Sequence, residues 1–180
     1  MPHSCALVQA LILRCTNNFG AFQFPEKLIP LVITNVRQDK PVPIYRDGLQ
    51  ERDWLFVEDF CQAIALALDN VEPGSVYNVS AGTPQPNLGV VQTILQHLGK
   101  PESLVQFVQD RPGHDRRYAL DSSRIRRELA WSPKLSFKEG IRRTIEWYQA
   151  NSPWLDHALS GEYRNFYHRN YTRRSNIFRA

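Results

Sequence analysis

The sequence lacks the cysteine pairs and long apolar runs that define several large classes of protein. Cys5, Cys15 and Cys61 form an odd set with no C-x-x-C pair, which argues against a disulfide framework and a zinc knuckle and favours a reducing compartment. No apolar stretch reaches the roughly 20 residues needed to span a bilayer. The apolar run over residues 5–15 lacks the charged start of a signal peptide. These absences predict a soluble, cytoplasmic protein.

Three motifs of nucleotide and redox chemistry are also missing. The nine glycines include no G-x-G-x-x-G turn, no P-loop is present, and no tyrosine is followed four residues later by lysine. The five histidines show no spacing typical of metal ligands. The sequence therefore predicts no metal site, and it offers no catalytic residues of its own for nicotinamide chemistry.

The composition is that of an ordinary globular domain. The chain has 180 residues, of which 42% are hydrophobic and 22% charged, so a hydrophobic core can form without disulfides or metal ions. Twenty-two Lys and Arg residues against 18 Asp and Glu residues give a net charge of +4, which is too small to require a polyanionic partner. One domain is therefore predicted.

Short apolar runs alternate with helical patterns, and this alternation indicates an α/β protein. A buried strand over residues 10–15 is followed by the turn residues 16–20. A helix is predicted over 26–36 with a kink at Pro30, and Asn87 and Ser136 are predicted to cap two later helices. The remaining predicted strands are 42–45, 54–56, 75–80, 105–108 and 117–120, and the remaining helices are 58–68, 87–98, 122–129 and 136–150.

Arginines are concentrated in residues 110–127, a segment that contains six arginines and three aspartates. Guanidinium groups donate paired hydrogen bonds that suit phosphate oxygens, and Pro112 and Gly113 let the loop approach a ligand closely. This pattern predicts a diphosphate cradle. The alternative is a solvated face whose arginines pair with local acids, and arginine content alone favours that alternative.

Amide side chains lie at the ends of two predicted strands. Asn17 and Asn18 follow the first strand, at the sheet edge where α/β proteins bind ligands, and amides both donate to and accept from sugar hydroxyls. Turn chemistry alone also explains them. Asn78 carries the same ambiguity, and Arg52 either meets a phosphate or pairs with a neighbouring acid.

Four longer motifs in this order carry a family resemblance: NNFG at 17–20, FPEKLIP at 24–30, RDWLFVED at 52–59 and DRPGHDRRY at 110–118. Together they resemble the dTDP-glucose 4,6-dehydratases, which are extended short-chain dehydrogenases/reductases acting on nucleotide sugars. The resemblance runs from about residue 11 to 171 and covers only the carboxyl-terminal half of the family. It implies an α/β fold that is the C-terminal substrate-binding half of an extended short-chain dehydrogenase/reductase, with two late Rossmann-sheet strands lacking their N-terminal neighbours.

The resemblance also implies a set of site residues. Asn17 would contact the sugar diphosphate, and Asn18 would line the nicotinamide end of NAD. Arg46 stands where the family usually has a turn glycine. The other implied substrate positions are Lys27 and Leu28 at the substrate border, Pro43, Ile44 and Tyr45 against the thymine, Arg52, Asn78 and Arg111 at the diphosphate, and the loop Asp110, Arg111, Pro112, Gly113 and His114.

The family reaction oxidises the sugar at C4 with NAD, eliminates water across C5 and C6, and returns the hydride to C6. It needs a glycine-rich turn, an acid/base pair and a Tyr-x-x-x-Lys motif, which belong to the half outside the resemblance. We therefore expect a truncated homologue that binds a nucleotide diphosphate sugar, holds no NAD by itself and is inactive alone. The alternative is a split dehydratase, because strands without their neighbours should self-associate or be completed by a separate NAD-binding chain.

The ends of the sequence form separate segments in this interpretation: an unmatched leader over 1–10, a nucleotide-sugar-binding part over 11–150, and a basic aromatic tail over 151–180. Residues 162–180 contain five arginines and one acid among aromatic side chains. Such faces can stack on bases, so a nucleic-acid-binding module is the alternative from another class. The tail also resembles the end of the dehydratases, where these residues pack on the domain.

Overall fold

A computed structural model describes residues 10–159 and confirms the α/β class. The helices are α1 Leu28–Arg37, α2 Val57–Asn70, α3 Asn87–Leu98, α4 Ser123–Leu129, α5 Phe137–Ala150 and α6 Ser152–Ala158. The strands are β1 Ile12–Cys15, β2 Asn17–Phe19, β3 Val42–Tyr45, β4 Glu51–Arg52, β5 Trp54–Phe56, β6 Val76–Val79, β7 Gln85–Pro86, β8 Val105–Val108 and β9 Arg117–Tyr118. A short 3₁₀ helix, Glu102–Leu104, precedes β8.

Parallel pairing dominates the sheets, as expected when helices connect the strands. β1 pairs with β6, β2 with β5 and β3 with β8, all in parallel. The remaining sheet has the order β7, β4, β9, with β4 antiparallel to β7 and parallel to β9. The β2–β5 register places Asn17 opposite Trp54. This arrangement brings the ends of β2, β3 and β4 close enough to line one cavity.

Most of the buried side chains form one hydrophobic cluster, here called the larger core. It contains apolar residues of α1, α3 and α5 packed against β3 and the β2–β5 pair. Phe19 meets Trp54, Phe56 and Phe137 with ring centroids 5.7 to 6.4 Å apart. The fully buried members include Ile29, Val32, Ile33, Val42, Val90, Val91, Ile94, Ile145 and Tyr148.

A second cluster, here called the smaller core, lies between the β1–β6 pair, α2 and α4. Its buried members are Leu55, Ala63, Tyr77, Val79, Ile125 and Trp131. Tyr77 also donates a hydrogen bond of 2.8 Å from its hydroxyl to Glu128 of α4. In contrast, Ile12 of β1 and Leu68 of α2 are 51% and 69% exposed. The smaller core is therefore covered on one side only by the described residues.

Two buried carboxylates join loops to these elements. Asp53 accepts hydrogen bonds from the backbone N–H groups of Gly82 and Thr83 at 3.0 and 3.3 Å. Asp59 accepts from the N–H groups of Lys134 and Leu135 at 3.0 and 3.2 Å. Each carboxylate thus satisfies two loop donors. The contacts of Asp53 hold the connection that leads into β7 and α3.

Several local predictions need correction. α1 begins at Leu28, so Pro30 lies in the first turn, where its missing N–H removes no intrahelical hydrogen bond and gives no reason for a kink. Asn87 is the first residue of α3 and Pro86 takes the cap position without a side-chain hydrogen bond, so the predicted Asn87 cap is wrong. The Ser136 cap is confirmed, since its Oγ accepts from the Glu139 N–H at 3.3 Å.

Residues 17–19 were expected in a turn but pair with β5 as β2. Within residues 10–159, no helix combines the length and apolar character needed to cross a membrane. The predictions for residues 1–9 and for the tail from residue 160 lie outside the described residues. The three-part division of the chain stays a prediction, although α6 packs Leu155 into the larger core.

Candidate functional site

A cavity of about 430 Å³ lies beside the larger core, between β2, β3 and β4 and the loop that follows β8. Its polar lining groups include amides, guanidinium groups and an imidazole, and its apolar ones come from β3 and the start of α1. The lining residues are Asn17, Gln23, Glu26, Lys27, Leu28, Pro43, Ile44, Tyr45, Arg52, Trp54, Asn87, Arg111 and His114. A volume of this size fits a small organic ligand rather than a metal ion.

Positive charge dominates the cavity wall. Arg52, Arg111 and Lys27 line it, and Glu26 is the acidic side chain among the lining residues. The Lys27 ammonium lies 2.7 Å from the Glu26 carboxylate, so this pair is internally balanced. Arg52 and Arg111 form no ion pair with a described residue, although Asp115 and Asp110 lie near Arg52, and the two guanidinium groups suit an anionic ligand.

Arg52 is held by backbone carbonyls rather than by acids. Its Nη1 donates to the Glu51 oxygen at 2.7 Å and its Nη2 to the Asp115 oxygen at 2.9 Å. Arg52 is only 9% exposed. Burial lowers the pKa of its guanidinium, and the nearby Arg111 charge lowers it further, while the charge of Asp115 opposes this shift. Among the described residues Arg52 forms no ion pair with the acids that the sequence offered as partners.

His114 closes the cavity from the loop after β8. Its side chain is 6% exposed, and its Nδ1 lies 2.7 Å from Oδ1 of Asp110. The ring of Tyr45 meets the imidazole edge to face at a centroid distance of 5.8 Å. The imidazole orientation is therefore set by two neighbours.

Most of the arginine-rich block is a solvated surface, as the alternative interpretation held, but Arg116 and Arg117 pair with distant acids rather than local ones. Arg116 pairs with Asp47 at 2.9 Å, Arg117 with Glu51 at 3.0 Å and Arg124 with Glu128 at 3.1 Å. Arg126 donates to the backbone oxygens of residues 80 and 81. Of the six arginines, Arg111 lines the cavity. The predicted cradle is therefore reduced to Arg111 together with Arg52 from β4.

Nine of the implied ligand-site positions line the cavity, and the other five do not. Asp110, Pro112 and Gly113 belong to the same loop but do not line the cavity, and Asp110 contacts it through His114. Asn78 lies in β6, where its Nδ2 donates to the Asp121 oxygen at 3.2 Å. Asn18 donates from Nδ2 to Cys15 Sγ at 3.1 Å. The roles of these residues in binding stay predictions.

Four lining residues were missed by sequence reasoning: Gln23, Glu26, Trp54 and Asn87. Three of them carry a buried polar atom without a hydrogen-bond partner, namely Gln23 Oε1, Trp54 Nε1 and Asn87 Oδ1. Buried polar groups normally have partners, and a water or a polar ligand in the cavity would supply partners for these three atoms. Trp54 lies inside the 52–59 motif and Gln23 directly before the 24–30 motif, which is the signal that could have found them. Trp54 instead reads as a core residue and Asn87 as a helix cap.

The described residues match NAD only in part. Asn18 Oδ1 is buried without a partner, which fits an amide donor such as the nicotinamide carboxamide. The dinucleotide pyrophosphate needs a glycine-rich turn that no part of this sequence supplies. Within residues 10–159, no group of three or more His, Cys, Asp or Glu side chains is placed to hold a metal ion.

The parallel strand pairs, their connecting helices and the polar cavity define a chain of the short-chain dehydrogenase/reductase type, in the branch of dehydratases and epimerases. A family profile described as GDP-mannose 4,6 dehydratase matches residues 3–144. The chain belongs to this family.

Known relatives narrow the similarity to dTDP-glucose 4,6-dehydratases. The one from Xanthomonas campestris pv. campestris is 47% identical over 163 residues, which are 86% of this chain and 46% of the relative. The crystal structure of the dTDP-glucose 4,6-dehydratase from Streptomyces venezuelae, with NAD bound, gives a TM-score of 0.81 at 40% identity. The match covers 84% of this chain and 47% of the Streptomyces chain. UDP-glucose 4-epimerase from Thermotoga maritima, solved with UDP-glucose, gives 0.75 at 25% identity and covers 79% and 46%. The chain thus spans about half the length of these relatives.

Proposed function

We propose that this chain forms the nucleotide-sugar-binding part of a dTDP-glucose 4,6-dehydratase-like protein and is inactive alone. In the complete family enzyme the reaction converts dTDP-glucose to dTDP-4-keto-6-deoxyglucose with NAD. The observation that carries the proposal is the convergence of Arg52, Arg111 and Asn17 on one cavity beside Tyr45.

Charge supports a diphosphate as the central group of the ligand. Arg52 and Arg111 are close enough for the charge of one to lower the pKa of the other, and the structure gives the Arg111 side chain no hydrogen bond or ion pair with a described residue. Two guanidinium groups that repel each other at a cavity wall are stabilised when an anion binds between them. A nucleotide sugar supplies such an anion in its pyrophosphate.

The neutral groups of the cavity support the two ends of the ligand. Pro43, Ile44 and Tyr45 present an apolar and aromatic surface that suits a planar base. Asn17 and Gln23 present amides that both donate and accept, as sugar hydroxyls require. The described residues can thus bind and orient a nucleotide sugar, and Asn18 can meet the nicotinamide carboxamide when NAD is held elsewhere.

Isothermal titration calorimetry with dTDP-glucose tests this proposal on the purified full chain. Arg111→Ala removes a cavity charge without breaking an internal hydrogen bond, so affinity should fall about tenfold, the size typical of a lost charge-assisted hydrogen bond. Arg117→Ala is the matched control, because it removes the same charge from an exposed ion pair outside the cavity. Absence of heat with the unsubstituted chain, or equal losses in both variants, would contradict the proposal.

A second candidate, a subunit of a split dehydratase, is favoured by the surface of the smaller core. Among the described residues β1 pairs on one side only, with β6, and α2 exposes an apolar stripe at helical spacing. The stripe consists of Cys61, Ile64, Ala65 and Leu68. A separate chain with an NAD-binding sheet would extend β1 and cover this stripe.

Co-expression with the dinucleotide-binding half of a dehydratase tests the second candidate. We expect co-purification and NAD-dependent dehydration of dTDP-glucose, both reduced by Leu68→Glu on the stripe. Gln62→Glu on the same helix adds the same charge at an exposed position that is already polar, and should leave both intact. No association at micromolar concentration would exclude the split enzyme and leave the binding proposal standing.

A further inference from the structure

His114 is held by a chain of hydrogen bonds that begins at a side chain outside the cavity lining. Gln50 precedes β4 and is 2% exposed. Its Nε2 donates to Oδ2 of Asp110 at 2.8 Å, while Oδ1 of the same carboxylate lies 2.7 Å from Nδ1 of His114. The backbone N–H of Arg111 also donates to Oδ1, at 2.8 Å. The carboxylate therefore joins a buried amide to the imidazole that lines the cavity.

The ionisation of Asp110 decides where the imidazole carries its proton. Burial alone would raise the pKa of Asp110, but hydrogen bonds from His114, the Arg111 N–H and Gln50 together lower it below its ordinary value. An ionised carboxylate only accepts hydrogen bonds, so the 2.7 Å contact requires a proton on His114 Nδ1. Nε2 is the ring nitrogen that remains for a ligand.

The geometry of the chain is specific rather than a general feature of packing. Gln50 Oε1 is buried without a hydrogen-bond partner, which costs free energy that an apolar side chain of similar size would avoid. A glutamate at this position would place a second carboxylate against Asp110 and repel it. The amide thus fits one task here, which is to donate to Asp110.

We propose that Gln50 and Asp110 are positioning residues that fix the tautomer and orientation of His114, so that Nε2 is presented to an oxygen of the bound nucleotide sugar. This role rests on the proposed function of the cavity, whereas the hydrogen-bond chain itself can be measured without a ligand. Gln50 acts only through Asp110 and His114, because it does not line the cavity.

Nitrogen-15 NMR of the ligand-free full chain measures the tautomer directly. The His114 signals are assigned by their loss in His114→Asn. We expect the proton on Nδ1 in the unsubstituted chain, and a substantial Nε2–H population in Asp110→Asn, because an amide accepts from or donates to the ring. A neutral ring that carries its proton on Nε2 and none on Nδ1 in the unsubstituted chain would overturn the proposal.

A double-mutant cycle on dTDP-glucose affinity measures the coupling. Gln50→Met should weaken binding about fivefold, the effect of one hydrogen bond, and should have no further effect in the His114→Asn background. Gln92→Met removes a similar bond of 3.1 Å from a glutamine to Glu102 on the exposed side of α3, and should leave affinity unchanged. If Gln50→Met does not fold, Asp110→Asn replaces it in the cycle.

The outcomes separate the two proposals. If the unsubstituted chain binds no nucleotide sugar, the proposed function fails, whatever the NMR tautomer. If it binds, but Gln50→Met weakens binding equally with and without His114, Gln50 acts by another route and the positioning role is overturned. A loss of affinity that disappears in the His114→Asn background supports the role.

Discussion

The larger and smaller cores differ in how completely their hydrophobic side chains are covered. In the larger core, α1, α3 and α5 enclose side chains such as Ile94 with no exposed surface. In the smaller core, β1 buries Leu13 and Cys15 only in part, while Ile12 and Leu68 remain largely exposed. The first region is packed like a domain interior, whereas the second leaves apolar side chains exposed among the described residues.

This difference separates binding from catalysis. The candidate ligand cavity lies against the larger core, so the residues that would hold a nucleotide sugar rest on a well-packed support. The exposed edge of β1 belongs to the smaller core, next to Asn18, the residue implied at the nicotinamide. Under the proposed function, nucleotide-sugar binding should therefore depend on residues that rest on the larger core, and redox chemistry on what covers the smaller core.

The largest expected effect comes from opening the larger core. Ile94→Ala should lower the free energy of unfolding by about 3 kcal/mol, because it leaves a cavity among fully buried side chains. Leu68→Ala on α2 removes a similar volume from an exposed position and should change it by less than about 0.5 kcal/mol. Urea denaturation measures both. A large, concentration-dependent loss in Leu68→Ala would show that self-association covers the smaller core.

The next effect tests how tightly the larger core is packed. An added Cβ at Gly140 in α5 would lie 2.8 Å from Cζ of Phe19 and 3.2 Å from Cδ2 of Phe56, both on rigid rings. Gly140→Ala should therefore destabilise by about 1 to 3 kcal/mol, although alanine favours the helix. Gly89→Ala in α3 is the control, because its Cβ would meet only Pro86 at 3.4 Å, and it should stabilise by up to about 1 kcal/mol. Equal thermal shifts in both variants would contradict tight packing here.

The fold was largely predictable because its signals are local. Alternating apolar runs and turn residues predicted β1, β3, β5, β6, β8 and β9 and the helices α1 to α5 to within a few residues, whereas the short strands β2, β4 and β7 and the helix α6 were missed. The errors occurred where one residue type serves two purposes. Asn17 and Asn18 have turn chemistry, yet the long-range pairing with β5 makes them a strand. Asn87 has cap chemistry, yet Gln50 already accepts its backbone N–H, at 3.0 Å.

The site was predictable as far as the family resemblance could be carried over residue by residue. Residues in the resembling motifs, such as Arg52 and His114, could be carried over one by one. Trp54 was missed although it lies inside the 52–59 motif, and Gln23 lies outside all four motifs; each carries a buried polar atom without a partner, which no sequence pattern reveals. The surface pairing of Arg116 and Arg117 was also hidden, since their acidic partners lie more than 60 positions away.

A smaller effect compares how the two regions end a helix. Gly99 ends α3 and Ala130 ends α4 in nearly the same left-handed conformation, with φ of 63° and 50°. Glycine adopts this conformation without strain, so Ala130→Gly should stabilise the chain by about 1 kcal/mol and Gly99→Ala should destabilise it by a similar amount. No atom lies within 4 Å of an added Cβ at Gly99, so its change reports the backbone alone. Thermal unfolding with shifts of the same sign would contradict this account.

The smallest effect is a pH dependence. Hydrogen bonds from Arg142 and then Arg143 lower the pKa of Glu139 from 4.5 to about 2. A carboxyl group with a lowered folded pKa stabilises the fold fully above its unfolded pKa, and this contribution is lost as the pH falls through the folded pKa. Glu139→Gln should therefore lower the melting temperature at neutral pH, and the difference from the unsubstituted chain should shrink between about pH 4.5 and pH 2.

Glu128 gives the matching measurement in the smaller core. The hydrogen bond from Tyr77, assisted by Arg124, lowers the pKa of Glu128 although burial opposes the shift. The Glu128 carboxylate joins α4 to β6, so its protonation should loosen the smaller core first. Glu139, in contrast, is paired with arginines of its own helix, α5. Hydrogen exchange at neutral pH, where Glu128 is ionised in the unsubstituted chain, should then report faster opening of β6 in Glu128→Gln and unchanged β6 in Glu139→Gln, and the first difference should shrink as the pH falls. Equal opening of β6 in both variants would mean that the two cores unfold as one unit.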